Sequence, residues 1–279
     1  MRIGTRGSAL ALAQARSVCE RLGPEAELVP ITTSGDRPGA DQNDKSRWVS
    51  ELERALLERR VDVAVHSAKD VPAELAPGLA LVAFPQRADA RDAICGARSI
   101  DELKPGARVG TSSLRRRAQL AAIREDLQIA AVRGNVDTRL RKLAEGEFDA
   151  LVLALAGLER LERTAEAGAP LDKLVPAAGQ GALAIEARAG DGRFERLNDP
   201  RTAVCVGAER QLVHALGASC NTPVGAHAHL RNDGLHMEAW VGLPDGSAWL
   251  ADAITTTDAE NAGRMIAERL LAAGARDLL

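Results

Sequence analysis

Apolar positions along the chain fall into two rhythms, and the switches between them outline its units. Arg2-Ile3-Gly4 begins a short strand, Thr5-Arg6-Gly7-Ser8 supplies a turn with capping residues, and Ala9 to Ala15 opens a helix. The pattern recurs at Arg108-Val109-Gly110-Thr111-Ser112-Ser113, followed by a helical run from Leu114 to Ile123. A second pair also matches. Ser50 to Arg60 reads as an amphipathic helix with Leu52, Ala55 and Leu56 on one face, leading into an apolar strand at Val61–Val65. Thr138 to Glu147 leads in the same way into Phe148–Leu153. Apolar strands separated by helices indicate parallel sheets covered on both faces. The pattern therefore predicts an α/β protein with two similar lobes. Ligands of such sheets sit beyond the carboxyl ends of the strands, so two facing lobes would enclose a cleft. Pro105, Gly106 and the stretch 85–105 read as a hinge between them.

From about residue 203 the rhythm changes. Leu235, Met237, Ala239 and Val241 alternate as in a half-buried strand, and Pro244-Asp245-Gly246-Ser247 is a turn. Trp249 to Ile254 can return as its hairpin partner. Thr257 or Asp258 can cap a last helix running to Ala273 and ended by Gly274. This is a smaller α+β unit.

A chain of 279 residues suits two or three such units. Three Phe, three Trp and no Tyr argue against a stacking platform for single-stranded nucleic acid. The longest apolar run, Ala150 to Leu158, is about half of the roughly 20 residues a membrane span requires. Met1-Arg2-Ile3-Gly4-Thr5-Arg6 shows no apolar leader segment, so a cytoplasmic protein is expected. Cys19, Cys95, Cys205 and Cys220 have neither metal-type pairing nor disulfide density, which fits reduced thiols.

Charge adds the first hint of chemistry. From Arg108 to Lys142, eight Arg and one Lys stand against Glu125, Asp126 and Asp137, a net +6 in a chain of net −3. A basic segment in an acidic protein suggests an anion site, although most charge runs are solvated helix faces. The repeated loop–helix junctions strengthen the first reading, because a helix N-terminus offers unpaired N–H groups and a partial positive charge. His227 and His229 alternate along a strand without a third ligand, and His66 ends a buried strand. All three read as structural, and no metal site is expected.

Several motifs then coincide in order: RIGTRGSALALAQ (residues 2–14), VHSAKDVP (65–72), GTSSLRRRAQL (110–120), RGNVDTRL (133–140), AAGQGA (177–182) and SCNTPVG (219–225). In this the chain resembles the porphobilinogen deaminases over most of its length. The resemblance implies two periplasmic-binding-protein-like lobes, 1–87 with 182–200 and 88–178, and a third domain at 203–279. It implies a transferase of tetrapyrrole (haem) biosynthesis that joins four porphobilinogen molecules head-to-tail on a covalent dipyrromethane primer, releasing hydroxymethylbilane and ammonia. It also implies a monomer without nucleic-acid or membrane partners.

The resemblance gives Asp70 the central catalytic role and makes Cys220 the attachment point of the cofactor. It matches Arg6, Lys69, Arg115, Arg116, Arg133, Arg139 and Arg160 to residues that bind the carboxylates of cofactor and substrate. Ser8, Gln14, Ser67, Thr111, Ser112 and Ser113 would add neutral donors. Such a reaction needs these types. Porphobilinogen carries two carboxylates, which a planar guanidinium meets bidentately. Loss of ammonia leaves a pyrrole-borne cation, which a carboxylate can stabilise. Alone, Asp70 reads as a capping residue before Val71-Pro72, and any single Arg as a surface charge. That plain reading is kept for Arg117, Arg124 and Arg141. Cys19, Cys95 and Cys205 read as small packed residues.

Two departures from the family pattern stand out. Asp44-Lys45-Ser46-Arg47-Trp48 occupies the place of a Gly-Lys-Gly-Leu-Phe type stretch, leaving Lys45 and Trp48 as a candidate lid. Gly217-Ala218-Ser219 precedes the cysteine where two adjacent glycines are common. Two competing readings remain at this level: a two-lobed non-enzymatic binder of carboxylated ligands, and a nucleic-acid binder using residues 108–142. The absence of aromatics and of a recognisable module weighs against the second.

Overall fold

The computed structural model describes residues 1–33, 46–218 and 222–279, with backbone alone for residues 46 and 47. Lys45 and Cys220 lie outside the described residues. The first lobe contains β1 (Arg2–Arg6), α1 (Ala9–Leu22), β2 (Glu27–Ile31), α2 (Ser46–Leu57), β3 (Val63–Ser67) and β4 (Leu79–Ala83). The second contains β5 (Asp92–Cys95), β6 (Arg108–Gly110), α3 (Leu114–Ile123), β7 (Gln128–Ala130), α4 (Val136–Ala144), β8 (Ala150–Ala154), α5 (Leu155–Arg160) and β9 (Ala167–Pro170). The chain then returns to the first sheet as β10 (Leu183–Arg188). It ends in α6 (Pro200–Ala215), β11 (Val224–Arg231), β12 (Gly234–Gly242), β13 (Trp249–Thr256) and α7 (Ala262–Ala272).

The two five-stranded sheets have the same plan. Their orders are β2-β1-β3-β10-β4 and β7-β6-β8-β5-β9, each with one strand antiparallel to its neighbours in the fourth place. That strand is β10 in the first sheet and β5 in the second, so each lobe receives it across a crossing between lobes. Both faces of each sheet are buried, which is why the strands lack polar alternation. Val63 and Val65 pack with Ile3 and Ile185 on one face, while Ala64 packs with Leu52 and Leu56 on the other. Val109 and Val152 are likewise separated from Leu151 and Leu153. The third sheet, β11-β12-β13, buries Ala226, Met237, Val241 and Ile254 against Leu212 of α6 and Ile266 and Leu270 of α7.

The repeated Arg-x-Gly-Thr motif has a packing cause. A Cβ at Gly4 would lie 3.1 Å from Val61 and 3.2 Å from Leu52, and one at Gly110 would lie 2.5 Å from Leu151. At the equivalent place in both sheets a Cβ would crowd the covering side chains, tightly at Gly4 and past contact at Gly110.

Three expectations are corrected. Pro105 and Gly106 form the turn into β6, where the Gly106 N–H donates to the Asp126 carbonyl, inside the second lobe. Of the expected stretch 85–105 it is the first part, within residues 84–91, that crosses between lobes, and the chain returns along residues 171–182. The strand of the first lobe lies two residues later than its apolar run, because pairing of Ile3 with Val63 fixes its register and Asp62 accepts from the Arg2 N–H. Helix α7 is capped at Asn261, while Asp258 accepts hydrogen bonds from Asn261. Among the described residues no helix is long and apolar enough to cross a membrane.

One side chain joins all three units. Glu209 of α6 is fully buried, and it accepts from Arg87 Nη1 at 2.6 Å, the Gly179 N–H at 2.6 Å and the Ala228 N–H at 2.8 Å. Arg87 and Gly179 belong to the two crossings, and Ala228 to β11. Burial opposes the Glu209 charge, but Arg87 and His227 hold its carboxyl below the usual range. Removing one partner of a buried pair leaves the other uncompensated, which costs about 3–5 kcal/mol. Glu209→Ala should therefore lower stability by about that amount, read as a lower urea midpoint.

Candidate active site

The cleft is built from the carboxyl ends of the strands of both lobes. β1 ends on Arg6, and Ser8 caps α1 by accepting from the Ala11 N–H. β3 ends at Ser67, from which a single 3-10 turn projects Lys69 and Asp70. From the second lobe come the N-termini of α3 and α4, capped by Ser113 and Asn135, and the short α5 that carries Arg160. Together they enclose about 630 Å³, within the range of small-molecule sites. A connected cavity of about 470 Å³ extends toward the third unit and reaches Ala218 and Thr222, on either side of the undescribed stretch 219–221.

Charge on the larger cavity is one-sided. Arg6, Lys69, Arg116, Arg133, Arg139 and Arg160 line it, with Asp70 as the sole carboxylate among the described residues. Arg139 bonds only the Gly134 carbonyl and Arg160 only the Gly181 carbonyl, and Arg133 has no partner among the described residues. Burial pushes the Arg139 guanidinium down to about 10, with Arg116 adding to the effect, and burial lowers Arg160 as well. Burial also lowers the Lys69 ammonium to about 8, with Arg116 adding to the depression and Asp70 opposing it.

Neutral donors are ordered around them. Gln14 Nε2 donates to Ser67 Oγ at 2.8 Å. Trp48 stacks under Arg6, whose guanidinium lies 4.8 Å from the ring centroid. The buried Trp48 Nε1 has no acceptor among the described residues. Ser112 and Ser113 line the second cavity. Thr111 lines neither: it is buried, and its hydroxyl accepts from the Ser113 N–H.

Arg115 and Arg116 have a structural partner that the sequence did not disclose. Asp92, at the start of β5 and fully buried, accepts from Arg115 Nη2 at 2.7 Å, from Arg116 Nε at 3.0 Å and from Arg116 Nη2 at 2.7 Å. Burial would raise the Asp92 carboxyl, but the two guanidinium groups hold it far below the usual range. Arg116 still borders both cavities, whereas Arg115 borders only the second. Gln180 completes the cluster from the AAGQGA loop. Arg210 of α6 adds a cation at the second cavity and ties α6 to the Val71 and Pro72 carbonyls. A lone acidic residue opening the apolar strand Asp92–Cys95 was the available signal for Asp92.

The residues set aside stay outside. Arg124 bonds Asp126 and the Ile100 and Leu103 carbonyls. His66 pairs with Glu186 in the first core at 2.8 Å. His229 accepts from Arg231, and His227 stands beside Glu209. Burial pushes the Cys95 thiol up to about 11 and raises that of Cys205, so both are poor nucleophiles.

Fold and site thus define a two-lobed α/β protein, with a third α+β unit, whose cleft takes a ligand bearing several anionic groups. The family model described as "Porphobilinogen deaminase, dipyromethane cofactor binding domain" matches residues 1–196, and "Porphobilinogen deaminase, C-terminal domain" matches residues 203–272. A porphobilinogen deaminase of Brevibacillus brevis is 44% identical, covering 100% of this chain and 96% of that protein. One from Thermus thermophilus is 45% identical, covering 99% and 97%. Among solved structures, the periplasmic VFT2 domain of Bordetella pertussis BvgS aligns at 15% identity and TM-score 0.41, over 71% of this chain and 84% of that one. The chain belongs to the porphobilinogen deaminase family.

The donor set fits a dipyrromethane group. Its acidic side chains match the cations that line the cavity, and its pyrrole N–H groups match the carboxylate of Asp70.

Two predictions follow from the electrostatics. Lys69 is an ammonium below about pH 8 and neutral above it, so its share of carboxylate binding is present below that pH and lost above. The KM of the enzyme should climb as pH passes about 8, and Lys69→Arg should flatten that limb. Arg133→Leu, at the cleft, should weaken substrate binding by roughly 1.5–3 kcal/mol, about 10- to 100-fold in KM, while Arg124→Leu should leave KM unchanged. Equal effects would show that general charge is being read.

Proposed function

We propose that this protein condenses four molecules of porphobilinogen head-to-tail into hydroxymethylbilane, with release of ammonia, in the cleft between its two α/β lobes. The observation that carries this reading is the set of six cations that share one cavity with Asp70, its sole carboxylate among the described residues. A polycarboxylated chain growing there needs repeated anion contacts and one anion for its pyrrole nitrogens.

The roles follow from chemistry and placement. Arg6, Arg133, Arg139, Arg160 and Lys69 hold acetate and propionate groups, and Arg116 helps from its place beside Asp92. Ser8, Gln14, Ser67, Ser112 and Ser113 orient them with neutral donors. Asp70 accepts hydrogen bonds from pyrrole N–H groups. It also stabilises the cation that develops when the aminomethyl nitrogen leaves, an electrostatic contribution fixed before the reaction. When bound, the dipyrromethane group supplies a primer with a nucleophilic pyrrole carbon. Cys220 holds it by a thioether, a reading supported by the end of the second cavity at Ala218 and Thr222. Residues 1–87 with 182–200, 88–178 and 203–279 act as the three domains. Lys45 and Trp48 serve as a lid, and the enzyme works as a cytoplasmic monomer.

The tests are direct. Intact purified enzyme should exceed the chain mass by one dipyrromethane, and peptide mapping should place the adduct on Cys220. An adduct on Cys19, Cys95 or Cys205, or none, would refute the attachment. Asp70→Asn keeps the shape and removes the charge. It should fold, carry the adduct and lose on the order of 100- to 1,000-fold in turnover. Near-normal turnover in the loaded variant would remove Asp70 from its role.

A further inference from the structure

The loop Gly179-Gln180-Gly181 makes no use of its one functional side chain in the chemistry above. Yet Gln180 is only 1% exposed, and a buried amide must have its donors and acceptor satisfied. Its Nε2 carries two protons. One goes to the Ala90 carbonyl and the other to Asp92 Oδ1, both at 2.7 Å. A flipped amide would set Oε1 against two acceptors, so the orientation is forced. Oε1 must face the other way, and there Lys69 Nζ donates to it at 3.2 Å.

The backbone is fixed as firmly. The Gln180 N–H donates to the Ala177 carbonyl, and the Gln180 carbonyl accepts from Arg87 Nε at 2.8 Å. Gly179 and Gly181 have φ of +72° and +83°. A Cβ at Gly179 would stand 3.0 Å from the Lys69 backbone nitrogen, and one at Gly181 would stand 2.6 Å from the Ala88 carbonyl oxygen. Glycines on both sides let the loop wedge between the turn that bears Lys69 and the crossing that leads to Asp92.

We infer that Gln180 is a positioning residue: it fixes Lys69 in the cleft by linking it, through a single oriented amide, to the buried Asp92 carboxylate of the other lobe. The inference rests on the reading of Lys69 as a substrate-facing cation and adds the residue that sets its place and its charge. Arg115 and Arg116 act against an ammonium at this point, and Asp70 and Asp92 favour it. Arg139 borders the same cavities. A neutral acceptor stabilises the ammonium without cancelling it, which leaves the charge for a carboxylate of the substrate.

The test reads Lys69 itself. Holoenzyme is pulsed with acetic anhydride across a pH series, and acetylation of Lys69 is measured by peptide mass spectrometry against exposed Lys104. In the unaltered protein the Lys69 midpoint should lie near 8. Gln180→Met keeps the length but lacks the acceptor, so the midpoint should fall by about one pH unit, a tenfold rise in neutral amine at fixed pH. Gln180→Glu must take a proton on the oxygen that faces the Ala90 carbonyl and Asp92, which keeps a neutral acceptor toward Lys69, so the midpoint should stay near that of the unaltered protein. Lys104 should not move in either. An unchanged Lys69 midpoint in Gln180→Met overturns the proposal. So does a downward shift in both variants, since mere loosening would act alike on each. A separate arm adds porphobilinogen to the unaltered protein. Failure to protect Lys69 would undo its substrate-facing reading while leaving the tie to Gln180 standing.

Discussion

The carboxylate of Asp92 is the constraint on which the cleft depends. It lies at the start of the strand that enters the second sheet from the first lobe, without solvent. An isolated buried carboxylate would cost several kcal/mol. Here Arg115 and Arg116 from one helix and Gln180 from the return crossing share its two oxygens. The Arg116 guanidinium is further held by the Val152 carbonyl, and that of Arg115 by the Val175 carbonyl. The entry strand, the Arg-bearing helix and the return crossing therefore meet at a single point. Such a network is stable only as a whole, since removing any member leaves charge unpaired in a low dielectric.

Glu209 does for the third unit what Asp92 does for the lobes. It accepts from both crossings and from β11, so α6 is locked against the loop that carries Gln180. The crossings are thus clamped from two sides by buried carboxylates. Between the clamps project Lys69 and Asp70, on a turn too short to position itself. The precision of the site comes from these ion clusters and little from the local conformation of the turn.

Much of this was legible in the sequence, and the rest was hidden for identifiable reasons. The two lobes could be read because apolar strands and capped helices recur with the same Gly, whose missing Cβ both sheets require. The cationic loops could be read from the same caps. Glu209 could not, because nothing local marks an acidic residue whose partners lie far along the chain, and for Asp92 the one local sign was its place at the head of an apolar strand. Arg87 and Glu209 are 122 positions apart, and Asp92 and Gln180 are 88 apart. The place of β10 was equally invisible to periodicity, since an antiparallel strand inserted between β3 and β4 has the same apolar composition as its parallel neighbours. The expected hinge ran too far, to Pro105-Gly106, because that pair carries the ordinary chemistry of a turn, and a turn within a lobe uses that chemistry just as well.

The basic segment shows how a charge count misleads and how structure corrects it. Arg115 and Arg116 pair with Asp92, Arg124 with Asp126, Arg141 with Glu145 and Lys142 with Glu147. Arg108 lies over the Phe148 ring. The local excess read from residues 108–142 thus omits Asp92, which comes from another strand of the fold, and Glu145 and Glu147, which lie just past the counted run. What remains for a ligand is Arg133 and Arg139, one flanking α4 and the other within it, together with the outer edge of Arg116. Their partners in the cavity, Arg6, Lys69 and Arg160, come from outside the basic run altogether. The anion site is therefore made by convergence of loops from both lobes, and its selectivity for a ligand of several carboxylates follows from the spacing of those loops more than from net charge.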